Sequence, residues 1–219
     1  MLRAAATHFY RPSDHLEIRG FHTPKERQIL YALARWLPGP IIEIGSWCGL
    51  STTAIAQGIR DSGERKSFHT YDLALTLDSI RPVDGGMGLF LDGDDVPHGV
   101  CTEELYQRDI LPVLSAPGSS QGELRKNLER LGLTELVSIH VGDFRSFAPM
   151  VGGFVFCDSL HDPHEISCNA PALGHFLRPG SILACHDIAL DPKLLAAVRA
   201  SLPLGYGVSV DLLHIAEVV

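Results

Sequence analysis

Three groups of residues in this sequence could do chemistry. The first is Glu43-Ile44-Gly45-Ser46-Trp47-Cys48-Gly49-Leu50-Ser51, an apolar run with one carboxylate that opens into a G-x-x-x-G turn. Gly45 and Gly49 let the backbone pass close to a ligand, and a helix starting after them would offer unpaired amides. The second is Asp72, roughly 20–30 residues past that turn, where a carboxylate can hold two ribose hydroxyls. The third is a set of carboxylates and imidazoles: Asp158, His161-Asp162-Pro163-His164 and His186-Asp187. A hard cation such as Mg²⁺ takes one or two carboxylates and keeps positions for water or substrate oxygens. An imidazole such as His186, if it ligates, tilts the preference toward Mn²⁺, Zn²⁺ or Fe²⁺.

These groups need a scaffold that brings them to one edge. Thr23-Pro24-Lys25-Glu26 carries a capping box with proline at the first helical position, and apolar residues at helical spacing follow until Pro38-Gly39-Pro40. Ile41–Ile44 reads as a first strand, 51–59 as a helix, and Ser67–Tyr71 as a second strand ending at Asp72. From there to about Gln121 the pattern breaks at Asp84-Gly85-Gly86, Asp92-Gly93-Asp94-Asp95 and Pro97, with a helix near 102–114. Such a long irregular connection reads as a lid over the substrate, with Met87 or Phe90 as candidate walls, or as a surface loop.

Further on, helices are expected at 122–131, 164–177 and 192–202. Strands are expected at 137–141, 154–157 and 182–185, and one or two closing strands in Gly205–Val219. Strand and helix in alternation, with short all-apolar strands, predict an α/β fold. It would be a doubly wound, mostly parallel sheet with helices on both faces and a lid-like insertion. The expected organisation is an arm over residues 1–22 and a domain over 23–219, with the insertion at about 73–121.

In such a sheet ligands bind beyond the carboxyl ends of the strands, where these residues fall. The third glycine of the dinucleotide fingerprint is missing. Glu43 would repel a pyrophosphate and attract an amine. A ligand with a ribose, an amino group and no phosphate is S-adenosylmethionine. On this reading Glu43 meets the methionine ammonium and Asp72 the ribose. Trp47, in the turn, either walls the pocket or simply packs.

The sequence resembles the class I S-adenosylmethionine-dependent methyltransferases. Residues 43–51 are especially similar to the corresponding loop of catechol-type and sugar or antibiotic O-methyltransferases. The resemblance continues through Asp72, Val141-Gly142-Asp143-Phe144, Phe156-Cys157-Asp158, Leu177-Arg178-Pro179-Gly180-Ser181 and His186-Asp187, roughly residues 40–190 without the insertion. It implies adenine contacts from Asp143 and Phe144, and cofactor contacts from Glu43, Gly45, Trp47, Gly49, Ser51, Asp72 and Asp158. It also implies a divalent metal, Mg²⁺ or Mn²⁺, on Asp158, His186 and Asp187, although His186 departs from the acidic residue usual at that place. His161 falls where these relatives carry their basic side chain, and a near-neutral imidazole suits removal of a hydroxyl proton. Its expected role is general base, beside Asp158, with His164 the second choice. An H-x-x-H metal site and an Asp162 helix cap are the other readings of this stretch.

Composition narrows the partners. A net charge of −8 and a pI near 5.7, without a run of Lys or Arg, argue against nucleic acid. The longest apolar runs are far short of the roughly 20 residues of a membrane span. Five scattered cysteines without a C-x-x-C pair fit free thiols in a cytoplasmic protein. The expected activity is O-methyl transfer to a small hydroxylated molecule (a specialised metabolite, sugar or phenolic). Apolar residues in the tail and first helix would serve a homodimer. The competing readings are a catalytically silent S-adenosylmethionine-binding protein, a nicotinamide oxidoreductase and a metal-dependent hydroxylase-like relative.

Overall fold

The computed structural model describes residues 10, 15, 17–91, 95–189 and 191–219. Much of the expected N-terminal arm and Asp92-Gly93-Asp94 of the insertion lie outside the described residues.

A seven-stranded sheet forms the centre, in the order β6-β2-β1-β7-β8-β10-β9. Its parallel members are β1 (Ile41–Ile44), β2 (Phe68–Asp72), β6 (Ser138–Val141), β7 (Phe154–Cys157) and β8 (Ile182–Cys185). Strands β9 (Leu204–Val210) and β10 (Leu213–Val218) close it as an antiparallel hairpin, with β10 set beside β8. From β1 the chain builds outward through β2 to β6 and then returns to place β7 on the other side of β1. That reversal opens a crevice between the carboxyl ends of β1 and β7.

β1 and β7 are buried along their whole length, which explains their near-continuous apolar sequences. Successive side chains alternate between two cores. Ile42, Ile44, Val155, Cys157 and Leu183 meet α6 (Pro163–Gly174) and α7 (Pro192–Ser201) through Ile166, Leu173 and Val198. Ile41, Phe154, Phe156 and Ala184 meet Leu30 of α1 (Pro24–Trp36), Ile55 of α2 (Leu50–Ser62) and Leu124 of α5 (Ser119–Arg130). Glu43 stands on this second face, which decides its role below. The Thr23 capping box starts α1 as expected, and Asp162 caps α6 by accepting from the His164 and Glu165 amides.

The insertion is more regular than its sequence suggests. β3 (Ile80–Val83), β4 (Gly86–Leu89) and β5 (Val100–Cys101) form a small antiparallel sheet. Asp84-Gly85 makes the two-residue turn of the first hairpin, a signal outweighed by the weak strand propensity of Gly-Met-Gly-Leu. Three short helical pieces follow: α3 (Glu103–Leu105), a π turn over Tyr106–Ile110 and α4 (Leu111–Leu114). Pro112 has no N–H for the Arg108 carbonyl four residues earlier, and that carbonyl instead accepts Arg19 Nη1 at 3.1 Å. The insertion is thereby tied to the arm. No helix among the described residues is long and apolar enough to cross a membrane.

Candidate active site

On the β1 side, the turn after Ile44 is shaped by close approach. Gly45 has φ 86°, and a Cβ there would sit 2.6 Å from the Asp158 carbonyl oxygen, so only glycine lets the loop pass the end of β7. Gly49, also left-handed, caps α2, and a Cβ would lie 2.6 Å from Leu124 Cδ1. Trp47 sits at φ 46°, with Ile18, Cys48, Leu50 and Val113 nearby and its indole Nε1 buried without a hydrogen-bond partner among the described residues. Beside it the arm (Glu17–Phe21) and the insertion (Arg108, Asp109) line a half-open pocket of about 320 Å³.

On this side the polar residues named as cofactor contacts are engaged by the protein itself. Asp72 is anchored to the protein: Oδ2 accepts from Ser46 N at 2.9 Å, Trp47 N at 2.8 Å and Ser46 Oγ at 3.2 Å. Among the described residues its Oδ1 accepts only Ala74 N, at 2.8 Å, which leaves one lone pair for a ribose hydroxyl. Glu43 does not reach the crevice. It is fully buried, with Oε2 accepting from Thr52 Oγ1 at 2.7 Å. Burial pushes its carboxyl up to about 7 despite the hydrogen bonds that oppose this. Ser51 is buried in the first turn of α2 above it. Asp143 holds Arg145, Oδ2 to Nη2 at 2.6 Å, and caps the following turn. Phe144 packs against the core, 6% exposed and 5.9 Å from the Phe176 ring.

The β7–β8 side is organised differently. Parallel register sets Cys157 beside Cys185, so Asp158 and His186-Asp187 leave their strands at the same level. Four side-chain atoms then face one another in a ring. Asp158 Oδ1 lies 3.4 Å from His161 Nε2 and 3.2 Å from His186 Nδ1. Asp187 Oδ2 lies 3.5 Å from His161 Nε2 and 3.3 Å from His186 Nδ1. Asp187 adopts φ 64°, a left-handed conformation that is rare outside glycine and common at functional sites.

Each imidazole is backed by a buried glutamate. His161 Nδ1 contacts Glu165 Oε2 at 2.7 Å, and His186 Nε2 faces Glu26 Oε2 at 3.4 Å. Burial works against charge on both rings. The hydrogen bonds to Asp158 and Glu165 outweigh it at His161, and those to Asp158, Asp187 and Glu26 at His186, so both titrate well above neutral. The same partners hold Asp158 well below the usual carboxylate range against its burial. The carboxylate partners of His161 thus favour its protonated form. His164 sits further along, its ring 4.7 Å from that of His98 in the insertion.

Two residues of this side escape a motif reading. Glu26 is legible only as half of a capping box, yet it also accepts Leu212 N at 2.7 Å and faces His186. Burial opposes its charge, but these hydrogen bonds pull its carboxyl down to about 2. His22 lies beyond any signature. It packs 4.3 Å from the His186 ring, with Nε2 3.4 Å from Asp158 Oδ2, and neither ring nitrogen has a hydrogen-bond partner among the described residues. Two triads of possible ligands share Asp158 on this rim, His22–Asp158–His186 and Asp158–His161–Asp187, each with its donor atoms within 4.8 Å of one another, and such mixed carboxylate–imidazole sets suit a divalent metal.

Residues 42–188 match the family model described as a methyltransferase domain, a span that runs from β1 to the loop after β8. The chain belongs to this methyltransferase family. Family and fold together make it a class I S-adenosylmethionine-dependent methyltransferase. Among solved structures it is similar to the O-methyltransferase from Bacillus cereus in complex with SAH. That match has TM-score 0.53 and 14% identity, covering 91% of this chain and 83% of the other. It is also similar to TomG from Streptomyces achromogenes, an O-methyltransferase involved in tomaymycin synthesis and solved with SAM. There the TM-score is 0.54 at 16% identity, covering 90% of this chain and 81% of the other. At such identities the likeness concerns the methyltransferase fold alone. No curated protein matches the chain significantly.

Proposed function

We propose that this methyltransferase transfers the methyl group of S-adenosylmethionine to a hydroxyl oxygen of a small molecule, at a site that also takes a divalent metal. The observation that carries this reading is the crevice between β1 and β7. There the glycine turn runs against the Asp158 backbone, and the Asp158 side chain faces His161, His186 and Asp187. Cofactor loop and donor set are therefore joined at one residue.

The glycine turn and the free lone pair of Asp72 Oδ1 would receive the nucleoside, and the ionised Asp158 is the carboxylate placed for the methionine ammonium. The reaction is an in-line displacement: an acceptor oxygen bonds to the methyl carbon and the carbon–sulfur bond breaks. Its electron pair returns to sulfur, leaving a neutral thioether, and the acceptor's proton must depart. Such displacements depend on positioning the two reactants. Asp158, His186 and Asp187 would hold the metal, which when bound polarises and orients acceptor oxygens. His161 stands on the outer side of this group. Its Nε2, facing Asp158 and Asp187, is the group placed to take the acceptor's proton. The cavity at Trp47, walled by arm and insertion, is where acceptor size would be read, and the acidic chain favours a small molecule over nucleic acid.

Calorimetry with S-adenosylhomocysteine, then turnover against a panel of phenolic, sugar and hydroxylated heterocyclic acceptors, tests the reading. Expected are saturable binding and a product heavier by one methylene. A product heavier by one oxygen would favour a hydroxylase-like relative, and binding without any turnover a silent cofactor-binding protein.

A further inference from the structure

We infer that the first turn of α5 belongs to the cofactor site, with Ser120 and Gln121 as hydrogen-bonding partners for the adenine of S-adenosylmethionine. This rests on the nucleoside site proposed above and gives it two residues outside the glycine turn and the strand ends. Three contacts place the turn. Ser119 Oγ donates at 3.0 Å to the carbonyl of Leu75, which lies just past Asp72. Leu124 lies against the glycine turn, where a Cβ on Gly49 would stand 3.7 Å from the Leu124 Cα. Asn127 Nδ2 donates to the Cys48 carbonyl at 3.0 Å. α5 therefore runs between the segment after β2 and the glycine turn, with its first residues at the crevice end. Ser120 and Gln121 precede Leu124 by four and three residues, so they share its side of the helix one turn nearer the crevice.

The polar groups of this turn lack partners. Ser120 is fully buried and Gln121 is 9% exposed, yet among the described residues Ser120 Oγ and both amide atoms of Gln121 make no hydrogen bond. Buried groups of this kind weaken a fold unless something else satisfies them. Gly118 at the N-cap supplies no capping side chain, and the Ser120 and Gln121 amides have no backbone acceptor among the described residues. The turn thus offers mostly donors, with Gln121 Oε1 as an acceptor among them. Adenine is the complement: ring nitrogens that accept and one exocyclic amino group that donates. A carboxamide pairs with that amino group and the ring nitrogen beside it through two bonds. A phosphate or carboxylate, the usual guest of a bare helix N-terminus, would be repelled by the Gln121 oxygen. The rotatable side chain of Gln121 brings its amide to an entering purine.

Calorimetry on the full chain compares S-adenosylhomocysteine with its analogue lacking the 6-amino group of the purine. Wild type should bind the analogue about tenfold more weakly, the scale of one lost hydrogen bond. Gln121→Met keeps the side-chain length but not the amide. It should bind S-adenosylhomocysteine about tenfold more weakly and no longer distinguish the two ligands. Ser120→Ala should weaken S-adenosylhomocysteine about threefold or more. In the absence of nucleoside both variants should unfold at urea concentrations equal to or above that of wild type, because each removes a buried group without a partner. A lower unfolding midpoint with unchanged affinity would mark a purely structural role and overturn the proposal. So would a Gln121→Met protein that still discriminates tenfold. Ser120→Ala decides alone if Gln121→Met fails to fold. Nucleoside binding by wild type that both variants share defeats only this assignment, and no binding by wild type defeats the methyltransferase site itself.

Discussion

The two rims of the crevice use the same residue types to opposite ends. On the β1–β2 rim the carboxylates are engaged by the protein itself. Asp72 holds three backbone amides and a serine hydroxyl, and Glu43 lies under α2 with Thr52. On the β7–β8 rim carboxylates and imidazoles face one another across 3.2–3.5 Å, backed from behind by Glu26 and Glu165. The first rim is a shaped backbone whose side chains hold it in place. The second is a set of side chains whose supporting residues hold them in place. A polar residue at a strand end therefore tells nothing of its role until its partners are counted.

This contrast is sharpest at Asp158, which touches both rims. Asp158→Asn removes a charge from between His22, His161 and His186, and kcat/KM should fall roughly 10²–10³-fold, the scale of deleting one preorganised electrostatic contact. Steady-state kinetics on protein with unchanged near-UV circular dichroism measures it, and near-wild-type turnover would remove the chemistry from the β7–β8 rim. Asp72→Ala should act first on stability. It strands the Ser46, Trp47 and Ala74 amides, each costing about 1 kcal/mol or more, so urea unfolding should show a loss of about 3 kcal/mol. Asp72→Asn keeps one accepting oxygen and should lose less. A variant that binds S-adenosylhomocysteine poorly yet unfolds like wild type would make Asp72 a ligand contact rather than a loop anchor.

Much of this was legible in sequence because it is local. The strand-turn-helix of 41–62, the caps at Thr23 and Asp162, and the strand-end positions of Asp158 and His186-Asp187 follow from spacing alone. What spacing could not reveal was facing. Glu43 and Ile41 share a side of β1 because side chains alternate, so a carboxylate one residue before the glycine turn goes beneath α2 and not into the crevice. Phe144 follows a strand end yet turns inward onto Phe176. His22 and Glu26 meet His186 across some 160 residues of chain, a distance no local motif encodes. The β3–β4 hairpin was hidden by glycines that a close approach requires: a Cβ on Gly86 would collide with the Cys101 carbonyl.

The most specific test of the contrast belongs to Glu43. Its carboxyl titrates near 7 in the folded protein against 4.5 in the ordinary state, because burial disfavours the anion more than its hydrogen bonds favour it. The folded state therefore binds the proton more tightly than the unfolded chain. That contribution to stability is complete below about pH 4.5 and is lost as pH rises through 7. The slope is about 1 kcal/mol per pH unit across that window, and the total at most about 3 kcal/mol. Glu43→Gln cannot titrate, so its unfolding free energy should lack this slope, whatever constant offset the new amide brings beside Thr52. Urea melts from pH 4.5 to 8 measure the difference between the two slopes. Affinity for S-adenosylhomocysteine should stay unchanged within threefold, since the side chain reaches no surface of the crevice. Parallel slopes, or a loss of nucleoside binding larger than that, would return Glu43 to the cofactor and erase the distinction between the rims.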